Sequence, residues 1–194
     1  MMTEHLSQLP LAQRWQQQKY PAPIVVALIR RTGNGDTPRY LLIRRNGRPY
    51  AGQWALVGGK WDFGETLAAA IIREVQEETG LMADFVALRG IVSERVTEGE
   101  KGAHFLLLVC DLAAPNGEAQ EQQEGAVAWF SRAEIDALHA QQAIIPSDYA
   151  MIAQFAGSET AVPLVEAEMV GGLGGETAVS PELASFMLYG RSSS

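Results

Sequence analysis

The chain has 194 residues, of which 47% are hydrophobic and 20% charged, a balance that excludes a disordered or membrane protein and predicts one domain able to bury well over half of its unfolded surface. Fifteen basic residues against 23 acidic ones give a net charge of -8. That charge excludes a protein built to grip long nucleic acid, because phosphate neutralisation supplies most of such affinity.

Residues 3–19 read as a polar N-terminal helix lying on the domain, and with no basic segment followed by an apolar one they do not resemble a secretory signal, so a cytoplasmic location is expected. The runs APIVVALIRR (22–31) and RYLLIRR (39–45) flank TGNGDTP, whose turn formers predict a hairpin. Both IVVALI and the later FLLLVC are too short to span a bilayer, so no membrane association is expected. QWALV (53–57) reads as a third strand. Arg30, Arg31, Arg39, Arg44, Arg45, Arg48 and Lys60 are opposed over this stretch only by Asp36, and such a basic lip suits a small phosphorylated ligand; solvated strand charges are the alternative. Trp54, Trp61 and Phe63 flank a glycine loop and could stack on a base, with Trp61 and Phe63 alternating around Asp62; packing is the alternative for each.

A helix is predicted from Thr66 to a stop at Gly80, with Leu67, Ala68, Ile71, Ile72 and Val75 forming its core stripe. ADFVALRGIVSERV (83–96) and AHFLLLVCDL (103–112) read as strands around the loop TEGEKG, with His104 a core or pocket-wall residue and Cys110 a buried, inert thiol. AVAWF (126–130) is another strand, Ser131 and Glu134 form a capping-box pattern, and a helix is expected from Ser147 to Phe155 behind Pro146. The fold class is therefore α/β with a mixed sheet and helices on both sides. The organisation is an N-terminal helical extension (1–21), a main domain (22–156) and a C-terminal extension (157–194), in which AVPLVEAEMV reads as an edge strand and SPELASFMLYG as a short helix docking on the body or on a second subunit.

The helix over 66–79 poses a question of charge. Glu74, Glu77 and Glu78 fall at i, i+3 and i+4, on an arc beside the core stripe, where like charges cost roughly 0.2–0.5 kcal/mol per pair and oppose the helix dipole near its C-terminal end. The only cation on this helix is Arg73. A solvated acidic face would mix in lysines, whereas carboxylates on one face are what a hard divalent cation requires.

The run from Gly58 to Leu81 resembles the Nudix hydrolases. Gly59, Glu65, Arg73, Glu74, Val75, Glu77, Glu78, Gly80 and Leu81 stand at the specified positions of that family's motif without gap or mismatch, although Val57 precedes the paired glycines where many members have proline. The resemblance implies an α/β/α sandwich over roughly residues 22–155 and Mg²⁺-dependent hydrolysis of a nucleoside diphosphate linked to another group, with Mn²⁺ a possible substitute. It implies that Glu77, Glu78, Glu74 and the Gly58 carbonyl hold metal, that Glu74 and Arg73 act in catalysis, and that Glu65 supports the loop. A further carboxylate from outside the motif is expected, with Glu124 first and Glu121, Glu98 and Glu100 as rivals. Arg44, Arg45, Arg48, Trp54 and Lys60 are the expected substrate-binding residues. The motif flank is similar to members acting on nucleoside or deoxynucleoside triphosphates; ADP-ribose or a nucleotide sugar comes second, and a non-catalytic nucleotide-binding module third. The partner is thus a small nucleotide, with a homodimer possible through the C-terminal segment.

Overall fold

A computed structural model of the chain describes residues 20–32, 37–47, 50–98, 101–114, 117–123, 125–170 and 182–189. The helix expected over 3–19 lies outside these residues.

The central strand is β1 (Ala22–Thr32), whose alternating apolar side chains serve two cores at once. Val25, Ala27 and Ile29 face one cluster, and Val26 and Leu28 the other. β2 (Pro38–Arg45) pairs antiparallel with β1 from Arg30↔Tyr40 to Thr32↔Pro38, as the hairpin reading expects. The QWALV strand is broken in two: β3 (Trp54–Ala55) pairs with β2, and β4 (Val57–Lys60) with β1. The break at Leu56 has a distant cause, since its N–H donates to the Asp148 carboxylate at 2.7 Å and is withdrawn from the sheet.

After α1 (Leu67–Thr79), β5 (Asp84–Glu98) and β6 (Lys101–Ala113) form a long hairpin. Its tip is tighter than the expected TEGEKG loop, because Glu98 pairs with Lys101. β6 runs parallel to β1 in register Ala22↔Phe105, and β7 (Gly125–Ser131) pairs antiparallel with β2. The seven strands form one mixed sheet with order β3-β2-β1-β6-β5, β4 on β1 and β7 on β2.

Helix α1 covers one face through Leu67, Ala70, Ile71 and Val75. α2 (Arg132–Ala140) and α3 (Pro146–Phe155) cover the other through Ile135, Met151 and Ile152, completing an α/β/α sandwich. Ser131 caps α2 with the full reciprocal capping box, its side chain bonding Glu134 N–H and Glu134 returning to Ser131 N–H.

The C-terminal segment departs from expectation. β8 (Leu164–Val170) is a strand, but SPELASFMLYG holds no helix among its described residues; Glu182–Tyr189 is β9, antiparallel to β8 in a separate two-stranded ribbon. The ribbon is tied to the body by Val162 N–H on the Leu88 carbonyl at 2.8 Å and by an edge contact between Tyr189 and Phe85, with ring centroids 5.9 Å apart.

Candidate active site

Thr66 opens α1 in an extended conformation and accepts Ala69 N–H on its hydroxyl at 3.1 Å; Gly80 closes it in the left-handed region at φ 71°. Between β4 and α1, residues 58–65 bring backbone against the helix. Two glycines make this approach possible: a Cβ on Gly58 would strike the Val25 carbonyl, and one on Gly59 would strike the Glu74 carboxylate.

That closeness alters the expected helix face. Ala68 and Ile72 are only half-buried, whereas Glu74 and Glu78 lie on the buried side, 9% and 4% exposed, beneath the glycine loop. Glu78 Oε2 accepts Gly58 N–H at 3.1 Å. Glu77 points outward, its side chain 61% exposed.

Arg73 answers the unbalanced charge. Its Nε and one terminal nitrogen donate to the two Glu65 oxygens at 2.8 and 3.0 Å, a bidentate pairing. The other terminal nitrogen donates to Glu74 at 2.7 Å and Glu77 at 3.2 Å, and the Lys60 carbonyl takes a further bond at 3.1 Å. The Arg73 bonds hold the Glu65 carboxyl below its ordinary pKa, and the same contacts, Glu65 foremost, push the guanidinium further up. Glu65 is also fixed by Asp62 N–H at 3.3 Å. Glu65 and Arg73 thus tie the loop to the helix.

Every acidic donor here is a carboxylate oxygen, two of them buried, and the cradle over Glu74 admits no side chain at position 59. This donor chemistry fits a hard divalent cation. Among the described residues no three acidic, histidine or cysteine side chains stand around one point in coordinating positions. Arg73 draws Glu74 and Glu77 to itself while Gly58 takes Glu78, so the guanidinium provides the compensating charge in this arrangement.

The basic lip divides. Arg30 pairs with Asp111 at 3.8 Å, Arg39 with Glu134 at 2.9 Å, and Arg31 lies 4.2 Å over the Trp129 ring. Arg44 is exposed and donates to the Gly52 carbonyl at 3.1 Å, Lys60 is exposed, and Arg48 lies outside the described residues. Arg45 Nε is buried without a hydrogen-bond partner among the described residues. Trp54 is half-buried, its ring 4.7 Å from Phe130 in an edge contact. Trp61 and Phe63 part company: Trp61 packs against the core and donates to the Glu65 carbonyl at 3.0 Å, while Phe63 is fully exposed. His104 bonds Ser93 Oγ at 2.8 Å, and burial pushes the Cys110 thiol up to about 12.

Glu124 and Glu100 lie outside the described residues. Glu121 is exposed on the segment 117–123, which is pinned to the C-terminal end of α1 by Gln120 N–H on the Thr79 carbonyl at 2.9 Å.

Two carboxylates escaped the sequence reading. Asp148 looks there like an ordinary acid in a helix's first turn, yet it is buried beside Leu56 and its carboxyl is pushed up to about 7, chiefly by desolvation. Glu166 looks like one polar residue of an edge strand, but it accepts Leu67 N–H at 2.6 Å. Neither contact has a local signal, since the partners lie 92 and 99 residues apart.

A NUDIX domain profile matches residues 20–155. The ADP-ribose pyrophosphatase of Methanocaldococcus jannaschii is 34% identical over 92 residues, covering 47% of this chain and 53% of that protein. Putative nudix hydrolase 1 of Caenorhabditis elegans is 29% identical over 108 residues, 55% of this chain and 28% of its own. The chain therefore spans about half or less of the length of these curated relatives. Among solved structures, a MutT NUDIX hydrolase from Burkholderia pseudomallei superposes with a TM-score of 0.51 at 31% identity, covering 59% of this chain and 86% of that one. A NUDIX hydrolase from Nitrosomonas europaea gives 0.56 at 27% identity, over 69% and 87%.

Proposed function

The chain belongs to the NUDIX family, and from that footing we propose that it is a divalent-metal-dependent pyrophosphohydrolase that cleaves a nucleoside diphosphate linked to another group by attack of water. The observation that carries this reading is the burial of Glu74 and Glu78 under the glycine loop, at positions where a purely structural helix would place apolar side chains.

Glu74, Glu77, Glu78 and the Gly58 carbonyl would hold the metal, with Mg²⁺ the expected ion and Mn²⁺ a substitute. A metal held there would neutralise the diphosphate and lower the pKa of the attacking water. The chain's own residues do the positioning on which phosphoryl transfer depends. Arg73 orients Glu74 by a charge-assisted hydrogen bond, and Glu65 fixes Arg73 in turn. Glu74 would act in catalysis as well as in holding the metal. The expected carboxylate from outside the motif would come from Glu124, with Glu121, on the segment pinned to the end of α1, as its first rival and Glu98 and Glu100 after it.

For the substrate, the motif flank favours a nucleoside or deoxynucleoside triphosphate, which Arg44, Arg45, Lys60 and Trp54, with Arg48 from outside the described residues, would bind. ADP-ribose is the second reading, favoured by the name of the archaeal relative. Incubating the protein and Mg²⁺ with a panel of triphosphates, ADP-ribose and nucleotide sugars, with products identified by mass spectrometry, tests both. Monophosphate and pyrophosphate as the fastest products support the first; AMP and ribose 5-phosphate support the second. No turnover by the wild type alongside an inert Glu78→Gln control removes the enzymatic reading and leaves a nucleotide-binding module. A cytoplasmic setting fits a nucleotide substrate, and the apolar C-terminal ribbon offers a second copy of the chain a surface for a homodimer.

A further inference from the structure

The first turn of α1 contains no acidic residue, although its free N–H groups and the positive end of its dipole call for one. Glu65, one residue before the cap, is committed to Arg73. The Thr66 hydroxyl serves Ala69 N–H, two residues beyond the first helical amide. The missing acid arrives from β8: Glu166 Oε1 accepts the N–H of Leu67, the first residue of the helix, at 2.6 Å. Leu67 is wholly buried. The second Glu166 oxygen, Oε2, is buried with no partner at ordinary hydrogen-bond distance among the described residues, while the carboxylate lies close enough to the Tyr189 hydroxyl of β9 to add to the upward push that burial gives that phenol's pKa. β8 lies beyond residue 155, where the NUDIX match ends.

We propose that Glu166 is a positioning residue, a brace from the C-terminal ribbon that fixes the N-terminus of α1 and through it the placement of Arg73, Glu74 and Glu78. A helix is stiff along its axis, so a point fixed at Leu67 sets the height of Arg73 about 9 Å further on. Reactions that depend on positioning lose about a hundredfold for a displacement of the order of 1 Å. The ribbon has its own anchors: Val162 and Leu164 pack on the core around α1, Arg89 donates to the Thr160 carbonyl at 3.3 Å, and Tyr189 meets Phe85. Glu166 is therefore presented from a support tied independently to the sheet. The role rests on the reading of α1 as the catalytic helix.

The test compares wild type with Glu166→Ala, Glu166→Gln and, as a control, Glu168→Ala, an exposed acid on the same strand. Amide hydrogen exchange at Leu67, read by NMR without substrate, is paired with steady-state kinetics on the best nucleotide of the panel. The expected result is faster Leu67 exchange in Glu166→Ala, a kcat lowered by about tenfold or more with KM changed far less, substantial rescue in Glu166→Gln, which keeps an acceptor oxygen, and no effect of Glu168→Ala. Unchanged Leu67 exchange in Glu166→Ala overturns the brace. Faster exchange with wild-type kcat overturns its positioning role. If Glu166→Ala does not fold, Glu166→Ser, too short to reach Leu67 N–H, decides: faster Leu67 exchange with a lowered kcat supports the brace, and unchanged exchange or an unchanged kcat refutes the role. A wild type that turns over no nucleotide sinks the functional reading and the catalytic part of this role together, whereas the Leu67 contact is still judged by exchange alone.

Discussion

At the scale of single residues, two buried acids have opposite consequences. Glu78 is proposed as a metal ligand, and Glu78→Gln is expected to keep the fold, because the amide still offers Gly58 an acceptor and one repulsive charge is removed. Turnover should nonetheless fall by several orders of magnitude. Saturating Mg²⁺ should stabilise the wild type by about 2.7 kcal/mol at a hundred times its dissociation constant, and the variant by clearly less; differential scanning calorimetry with and without Mg²⁺ measures this, and an equal gain in both would remove Glu78 from the metal site. Asp148, by contrast, takes part in a fold contact whose strength depends on protonation. Its carboxyl sits at about 7 in the folded state against an ordinary 3.8, so below pH 4 its contribution to stability is fully present, and it is lost as pH rises through 7. The span is on the order of 4 kcal/mol. Asp148→Asn keeps an acceptor for Leu56 N–H, and its stability should fall less than that of the wild type between pH 4 and pH 7. Parallel slopes in urea titrations across that range would show that Asp148 does not titrate as its burial requires.

At the scale of elements, the loop and helix act as one unit because backbone and carboxylate touch. Gly59→Ala places a methyl group on Glu74, which must then leave Arg73 or push β4 away from β1. The expectation is a loss of activity of at least tenfold with a modest fall in melting temperature, checked by kinetics and calorimetry together; a fully active, normally stable variant would mean that Glu74 is not confined by the loop. Much of this unit was legible in the sequence because its signals are local: Thr66 and Gly80 bound α1, Ser131 and Glu134 announce α2, and the turn formers after β1 announce its hairpin. What could not be read depended on distant partners. QWALV has the pattern of one strand, but a carboxylate 92 residues away claims Leu56. In SPELASFMLYG, serine and proline before leucine, alanine and methionine carry the local marks of a helix start, yet pairing with β8 overrides propensity. The three glutamates stand out through their spacing and the motif they belong to, whereas their division into two buried and one exposed follows from glycine contacts that only the fold creates.

At the scale of the whole molecule, the sandwich is closed on both faces, and the ribbon of β8 and β9 is its least covered part. A two-stranded ribbon is marginal by itself in water. β9 exposes Leu183, Phe186, Met187 and Leu188, and Glu182 is its only charged residue, so its outer edge lacks the lysines and prolines that usually discourage pairing. A second copy paired to this edge under two-fold symmetry is the arrangement we propose for a dimer. Antiparallel pairing centred on Phe186 would set Phe186 against its own counterpart, Ala184 opposite Leu188 and Leu183 opposite Tyr189, leaving the two Glu182 carboxylates about 26 Å apart, at opposite ends of the pairing. Such an interface joins apolar side chains without opposing like charges, and because it uses the edge of β9 that is unpaired among the described residues it leaves Glu166 on β8 in place. The full chain is therefore expected to run as a dimer in light scattering at micromolar concentration, and Phe186→Lys as a monomer, since the symmetry would force two ammonium groups together at the centre. None of the proposed site residues lies on β9, so the monomeric variant should keep kcat within about twofold. A wild type that stays monomeric up to the highest soluble concentration, or a Phe186→Lys variant that still dimerises, would remove the second copy from this edge.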